Sequence, residues 1–248
     1  MTKILGLIGY PLSHSFSKKY FTEKFEKEEI SGYRYELFPI EDISEFPDFL
    51  DQNPSIIGLN VTIPYKERIL EFINNQDDTS KNIGAVNCIK IDTVNDKKVL
   101  TGYNTDTYGF EISLRPLLKP IHKKALILGT GGASKAVEYV LKKLNIESRY
   151  VSRTPRHNIL GYKDLDIDIM KEYKIIINTS PIGMYPDIDN APSLPYKHIS
   201  KDHLLYDLIY NPQVTKFMQL GLNQGAIVKN GLDMLYGQAE KAWEIWNK

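Results

Sequence analysis

The side chains that could do chemistry fall in short, separated clusters. In Asn60-Val61-Thr62-Ile63-Pro64-Tyr65-Lys66, two hydrogen-bonding side chains lead to an ammonium. Asn104-Thr105-Asp106 ends in a carboxylate, and Ser13-His14-Ser15-Phe16-Ser17 groups three hydroxyls around a histidine. An ammonium and a carboxylate can pass and orient a proton. Hydroxyls and amides can hold a polyol or a carboxylate, and a site built on them rejects analogues that lack the matching group. Each cluster also has a plainer reading. The serines suit a helix cap, Asp106 stands where an N-cap belongs, and Lys66 reads equally well as a solvated surface lysine.

A different chemistry is suggested further on. The apolar run Lys124-Ala125-Leu126-Ile127-Leu128 ends in Gly129-Thr130-Gly131-Gly132-Ala133-Ser134. An unbroken apolar run reads as a buried parallel strand. Glycines after it let the backbone turn tightly and approach a phosphate on the N–H groups of the next helix. The pattern is a dinucleotide-binding turn in outline, with Ser134 at the third glycine position. Sites that take NAD place an acid about 20 residues beyond the glycines. Here Ser152-Arg153-Thr154-Pro155-Arg156 offers no acid and two guanidiniums. These suit a 2′-phosphate, so NADP is expected over NAD, unless both are plain surface arginines.

These groups need elements to carry them. Strands are expected at 4–10, 33–40 and 55–62, alternating with helices at 17–30, 42–50 and 64–73. Pro64 suits a first helical turn, which would put Lys66 inside that turn and against the macrodipole. The order predicts a parallel or mixed sheet with ligands at the carboxyl ends of its strands, where Asn60, Thr62 and Lys66 would lie. Residues 83–89 and a return strand at 99–103 precede Asp106 and a helix to Leu118. After a linker at 116–124, a helix at 132–144 and strands at 124–128, 148–151, 173–178, 203–209 and 226–228 repeat the β-α-β pattern. Thr179-Ser180 and Tyr210 follow two of these strands, and Asn230-Gly231 closes the last. From Leu232 the spacing is helical, with Leu235, Ala239, Ala242, Trp243 and Trp246 on one face and Gln238 at its edge. That amphipathic end is expected to pack back on the first domain. The expected domains are residues 1–106 with 232–248, and residues 107–231.

The bulk numbers exclude several classes. With 31 Lys+Arg against 31 Asp+Glu there is no global field for nucleic acid or an acidic membrane surface. The single cysteine, Cys88, excludes an internal disulfide and cysteine-rich zinc clusters, and no metal site is expected. No apolar run approaches the ~18 residues of a membrane span. The start of the chain lacks the layout of a signal peptide, so a cytoplasmic protein is expected.

Taken together, the motifs resemble those of the shikimate dehydrogenases over nearly the whole chain, from Gly9 to Trp246. His14-Ser15-Phe16-Ser17 is similar to the family's His-Ser-x-Ser, and Asn60 to Lys66 to its Asn-Val-Thr-x-Pro-x-Lys. The resemblance implies an N-terminal α/β substrate domain with a mixed sheet, a Rossmann-like NADP-binding domain, and a cleft between them. It implies reversible reduction of 3-dehydroshikimate to shikimate, a step toward the aromatic amino acids, by a monomer or homodimer. Lys66 and Asp106 would be the catalytic residues. Ser15, Ser17, Asn60, Thr62, Asn87, Tyr210 and Gln238 would bind substrate. Gly129, Thr130, Gly131, Gly132, Ala133, Ser152, Arg153, Thr154, Arg156, Thr179, Ser180, Leu208 and Gly231 would bind cofactor. Three departures from the family pattern stand out. Lys18 stands where Pro is common, Ser152 replaces Asn beside Pro155, and Leu208 stands where some members carry Met. The rival readings are a quinate/shikimate dehydrogenase that accepts NAD and a non-catalytic sensor of NADP or shikimate.

Overall fold

Strand β1 (Lys3–Gly9) splits its apolar residues between the two faces of a sheet, as the period of two requires. Leu5 and Leu7 enter one cluster and Ile8 the other. The structure is a computed structural model that describes residues 2–12 and 15–248; Ser13 and His14 of the serine cluster lie outside the described residues. The chain divides into two compact units, Met1–Thr105 with Ala239–Lys248, and Asp106–Gln238.

In the first unit, β1 is followed by α1 (Phe16–Lys27), β2 (Tyr33–Pro39), α2 (Phe46–Gln52) and β3 (Ile56–Val61). Then come β4 (Asn75–Gln76), α3 (Asp78–Ile83), β5 (Cys88–Val94) and β6 (Lys97–Tyr103). The sheet order is β2-β1-β3-β5-β6-β4. β1 is parallel to β2 and β3, whereas β5 is antiparallel to both β3 and β6, so the sheet is mixed. The β5–β6 hairpin turns on Asn95 and Asp96, both at positive φ, as a two-residue turn of this hand demands. The chain leaves β1 toward β2 on one side and returns to β3 on the other. Ligand crevices of α/β sheets open at such a reversal, here between the carboxyl ends of β1 and β3.

One face of this sheet is covered by Phe46, Tyr65 and Ile69, the other by Phe21, Phe25, Tyr35 and the end of the last helix. From that helix come Ala239, Ala242, Ile245 and Trp246, so its end belongs to the first unit, whereas residues 232–238 belong to the second. The Trp246 ring lies directly over Gly58, where a methyl group would have no room, and its Nε1 donates to the Ile89 carbonyl at 3.0 Å.

The segment after β3 differs from expectation. Residues 63–67 are turns, and the only helical stretch there is a 3-10 helix, Arg68–Phe72. Lys66 therefore precedes that helix, and the argument from an α-helix macrodipole does not apply to it. Long-range bonds explain the change. The Lys66 carbonyl accepts the Val86 N–H at 2.8 Å, and the buried Tyr65 hydroxyl donates to the Ile40 and Glu41 carbonyls. Helix α3 and strand β4 were also not expected from the sequence. Asp77 caps α3, accepting the Ser80 N–H at 2.8 Å, and Gly84 ends it at φ 69.

The second unit opens with α4 (Asp106–Leu114), so Asp106 is the first helical residue and Thr105 precedes it. There follow β7 (Lys124–Leu128), α5 (Gly132–Lys143), β8 (Glu147–Ser152), β9 (Ile159–Gly161) and α6 (Ile167–Glu172). Strands β10 (Ile175–Asn178) and β11 (Leu204–Asp207), helix α7 (Lys216–Leu222), strand β12 (Ile227–Lys229) and helix α8 (Leu232–Trp246) complete the chain. β9, α6 and α7 are additions to the expected elements. All the strands pair in parallel, in the order β12-β11-β10-β7-β8-β9. This is the doubly wound dinucleotide-binding order, and it reverses between β7 and β10. The central strands are buried, all but Lys124 at the start of β7, as parallel strands covered on both faces must be.

Candidate active site

In the first unit, the predicted substrate residues gather where β1 and β3 end. Ser15 caps α1, accepting the Lys18 N–H at 3.5 Å. Ser17 is buried and lies near the Tyr35 hydroxyl. Tyr35 in turn donates to Asn60 Oδ1 at 2.8 Å, and Asn60 Nδ2 donates to the Asn87 carbonyl at 3.3 Å. The Asn87 side chain continues the row. Its Oδ1 accepts the Thr105 N–H at 2.7 Å, and its Nδ2 donates to Thr105 Oγ1 at 3.1 Å. Asn60 and Asn87 thus share one buried hydrogen-bonded row with Thr105 and with Tyr35, a member that sequence reasoning missed. Burial raises the Tyr35 hydroxyl well above the usual tyrosine range, which keeps it a donor.

Thr62 is half-buried and packs on the end of β1; a Cβ at Gly9 would lie 2.5 Å from its methyl carbon. Lys66 is half-buried as well. Its carbonyl is tied to Val86, while the backbone of Thr105 is tied to Asn87. Lys66 and the residue before Asp106 are therefore anchored to neighbouring positions on one segment. Asp106 itself is buried at the start of α4.

In the second unit, the glycine turn joins β7 to α5 at the strand reversal. Gly129 has φ 111, in the left-handed region, and a Cβ there would lie 2.9 Å from Thr179 Oγ1. Thr179 closes the gap to β7, its Oγ1 donating to the Leu128 carbonyl at 2.8 Å. Gly131 is the N-cap of α5, is exposed, and has open space where a Cβ would project. Among the described residues no side chain caps this helix, so its first N–H groups, near Gly132 and Ala133, are available to an anion. Ser134, at the third glycine position, is buried and turns its hydroxyl back to the Gly131 carbonyl at 2.6 Å. That bond explains how a residue larger than glycine fits there.

The arginine loop adjoins this turn, since Gly129 N–H donates to the Val151 carbonyl at 2.9 Å. Ser152 ends β8 and its Oγ accepts the Thr154 N–H at 3.3 Å. Arg153 and Arg156 are exposed, and Arg153 lies near the Tyr162 ring system. An uncapped helix start, a glycine-rich turn and two exposed guanidiniums fit a dinucleotide with an extra phosphate. Gly231 packs on the Leu208 carbonyl with no room for a side chain, so these two predicted cofactor residues meet. Tyr210 is exposed at the turn after β11, and Gln238 is buried on α8, its Nε2 donating to the Leu235 carbonyl at 3.0 Å.

Sequence reasoning also missed the group that holds these loops. Asp207, fully buried at the end of β11, accepts from Asn178 Nδ2 at 3.0 Å, Ile209 N–H at 3.1 Å and Thr215 Oγ1 at 2.6 Å. Asn178 Oδ1 accepts the Ser180 hydroxyl at 2.6 Å. Loss of water lifts the Asp207 carboxyl to about 6 despite these bonds. An acid next to Leu208 and Tyr210 was visible in the sequence, but its partners lie on other elements. Among the described residues no group of His, Cys, Asp and Glu could hold a metal ion, and no helix is long and apolar enough to cross a membrane.

Comparison with known proteins adds independent observations. Residues 7–89 match the family profile described as the shikimate dehydrogenase substrate binding domain. A shikimate dehydrogenase (NADP(+)) of Methanococcus maripaludis is 38% identical over 99% of this chain and 91% of its own length. A crystal structure of a shikimate dehydrogenase in complex with NADP+ superposes with a TM-score of 0.85 at 32% identity, covering 99% of this chain and 90% of the other. The shikimate 5-dehydrogenase of Thermus thermophilus, solved with NADP(H) and shikimate, gives 0.84 at 27% identity over 99% and 93%.

Proposed function

Because this chain belongs to the shikimate dehydrogenase family, we propose that it catalyses the reversible NADPH-dependent reduction of 3-dehydroshikimate to shikimate. NADPH supplies the hydride when bound; the protein supplies orientation and a proton route. The N–H groups of the glycine turn, from Gly129 to Ala133, would hold the cofactor's phosphates, with Thr179, Ser180, Leu208 and Gly231 lining the remainder. Arg153 and Arg156 would hold the 2′-phosphate, with Ser152 and Thr154 shaping their loop.

Ser15 and Ser17 take the substrate carboxylate. Asn60, Thr62, Asn87, Tyr210 and Gln238 take the hydroxyl and carbonyl oxygens carried by the ring. Lys66 gives its proton to the carbonyl oxygen as the carbon receives the hydride, so the ketone becomes an alcohol and the lysine is left neutral. Asp106 binds the neighbouring hydroxyl and orients the ammonium. The observation that carries this reading is the buried hydrogen-bonded row Tyr35–Asn60–Asn87–Thr105, which joins the hydroxyl-binding positions to the residue before Asp106. The reading includes a cytoplasmic location, in keeping with a buried Cys88 outside any disulfide, and a monomer or homodimer as the working form.

The test is absorbance of the reduced cofactor with purified protein, pairing shikimate and quinate each with NADP and NAD. Strong turnover only with shikimate and NADP is expected. Comparable turnover with quinate or NAD would move the protein to the broader dehydrogenase class. Binding of shikimate and NADP without turnover in any pair would make it a sensor.

A further inference from the structure

We infer that Tyr35 is a positioning residue for substrate, holding the Asn60 amide so that it offers an N–H to a ring oxygen. The inference rests on the proposed function and adds a residue to it. Tyr35 is 2% exposed, so its hydroxyl must find protein partners. It donates to Asn60 Oδ1 at 2.8 Å and lies near Ser17. An asparagine amide is nearly symmetric in shape, and only its partners decide which way it faces. The Asn87 carbonyl can only accept, so Nδ2 faces it, and the Tyr35 hydroxyl donates to Oδ1 and holds the amide in that orientation. One Nδ2 hydrogen goes to the Asn87 carbonyl at 3.3 Å. The second remains for an acceptor, and a hydroxyl or carbonyl oxygen of a polyol meets that need.

The ring of Tyr35 has a separate role. It stacks on Phe21 with centroids 4.7 Å apart and lies 6.4 Å from the Trp246 ring. Phenylalanine would keep both contacts and remove only the hydroxyl. Packing and positioning can therefore be separated by one atom.

The experiment compares wild type, Tyr35→Phe, Asn60→Ala and the double variant in shikimate oxidation with NADP, with folding checked by near-ultraviolet circular dichroism. Tyr35→Phe is expected to raise KM for shikimate by about tenfold, the scale of one lost hydrogen bond, with KM for NADP unchanged. On the Asn60→Ala background it should add nothing, since the two residues act as a unit. An unchanged KM for shikimate, an equal rise on both backgrounds, or failure of Tyr35→Phe to fold would each overturn the inference. Wild type without turnover tells against the proposed function instead. In that case calorimetric binding of shikimate to the same four proteins decides on Tyr35, and wild type that does not bind shikimate overturns both.

Discussion

Lys66 has a half-buried side chain on a segment pinned from outside by Val86. If it hands the proton to the carbonyl oxygen, its loss should slow the chemical step and leave binding of the cofactor alone. Lys66→Ala is expected to lower kcat by about a hundredfold to ten-thousandfold, the range for one acid–base group, with KM for NADP unchanged. Steady-state kinetics with both substrates varied will check this, and near-normal kcat would remove Lys66 from the mechanism. Asp207 makes a prediction of another kind. Its carboxyl is lifted from 3.8 to about 6 by burial, so the folded protein holds that proton more tightly than the unfolded chain. Its contribution to stability is therefore greatest below pH 4, declines between about pH 4 and 6, and is flat above. The total decline is roughly 3 kcal/mol at most. Urea titrations across this range should show the slope in wild type and its loss in Asp207→Asn, because the amide has no charge to bury. Equal slopes in the two proteins would show that another group carries the dependence.

The elements differ in how openly the sequence announces them. Gly129 illustrates the legible kind: a glycine after the apolar run of β7, at φ 111, where a Cβ would lie 2.9 Å from Thr179 Oγ1. A side chain there is strained by its backbone alone, about 1–2 kcal/mol, before any contact is counted. Gly129→Ala is expected to weaken NADP binding at least about tenfold while shikimate binding persists. Calorimetry with each ligand separates the two, and equal losses would point to general unfolding. The strands β7, β10 and β11 were legible for the same reason, as apolar runs that only burial on both faces permits. What escaped sequence reasoning was set by partners far away in the chain. The expected helix after Pro64 gives way because the Lys66 carbonyl bonds Val86 and the Tyr65 hydroxyl bonds residues 40 and 41. Tyr35 looked like one more aromatic in a strand, since nothing local shows that its hydroxyl reaches Asn60. Asp207 beside Tyr210 was likewise unreadable without Asn178 and Thr215. Short elements such as α3, β9 and α6 carry too few residues for a period to show.

At the scale of the whole molecule, the first unit is not continuous in sequence. Its core is completed by Ala239, Ala242, Ile245 and Trp246, which arrive after the chain has built the second unit. β1, α1 and β2 therefore remain short of one covering surface until the last helix is made. Trp246 is the largest part of that surface, 4% exposed, packed over Gly58 and bonded to the Ile89 carbonyl. Trp246→Ala is expected to cost about 3–5 kcal/mol, the usual range for a large aromatic lost from a core. The loss should be local, because the clusters around β7, β10 and β11 contain no residue of the last turns of α8. Hydrogen exchange should rise in β1, α1 and β2 and stay unchanged in β7, β10 and β11, and NADP affinity should hold within about twofold. Exchange rising equally in both sets of strands would mean that the two cores unfold as one. Stability of the glycine turn would then depend on the tryptophan at the far end of the chain, and loss of cofactor binding in Trp246→Ala would follow from that coupling.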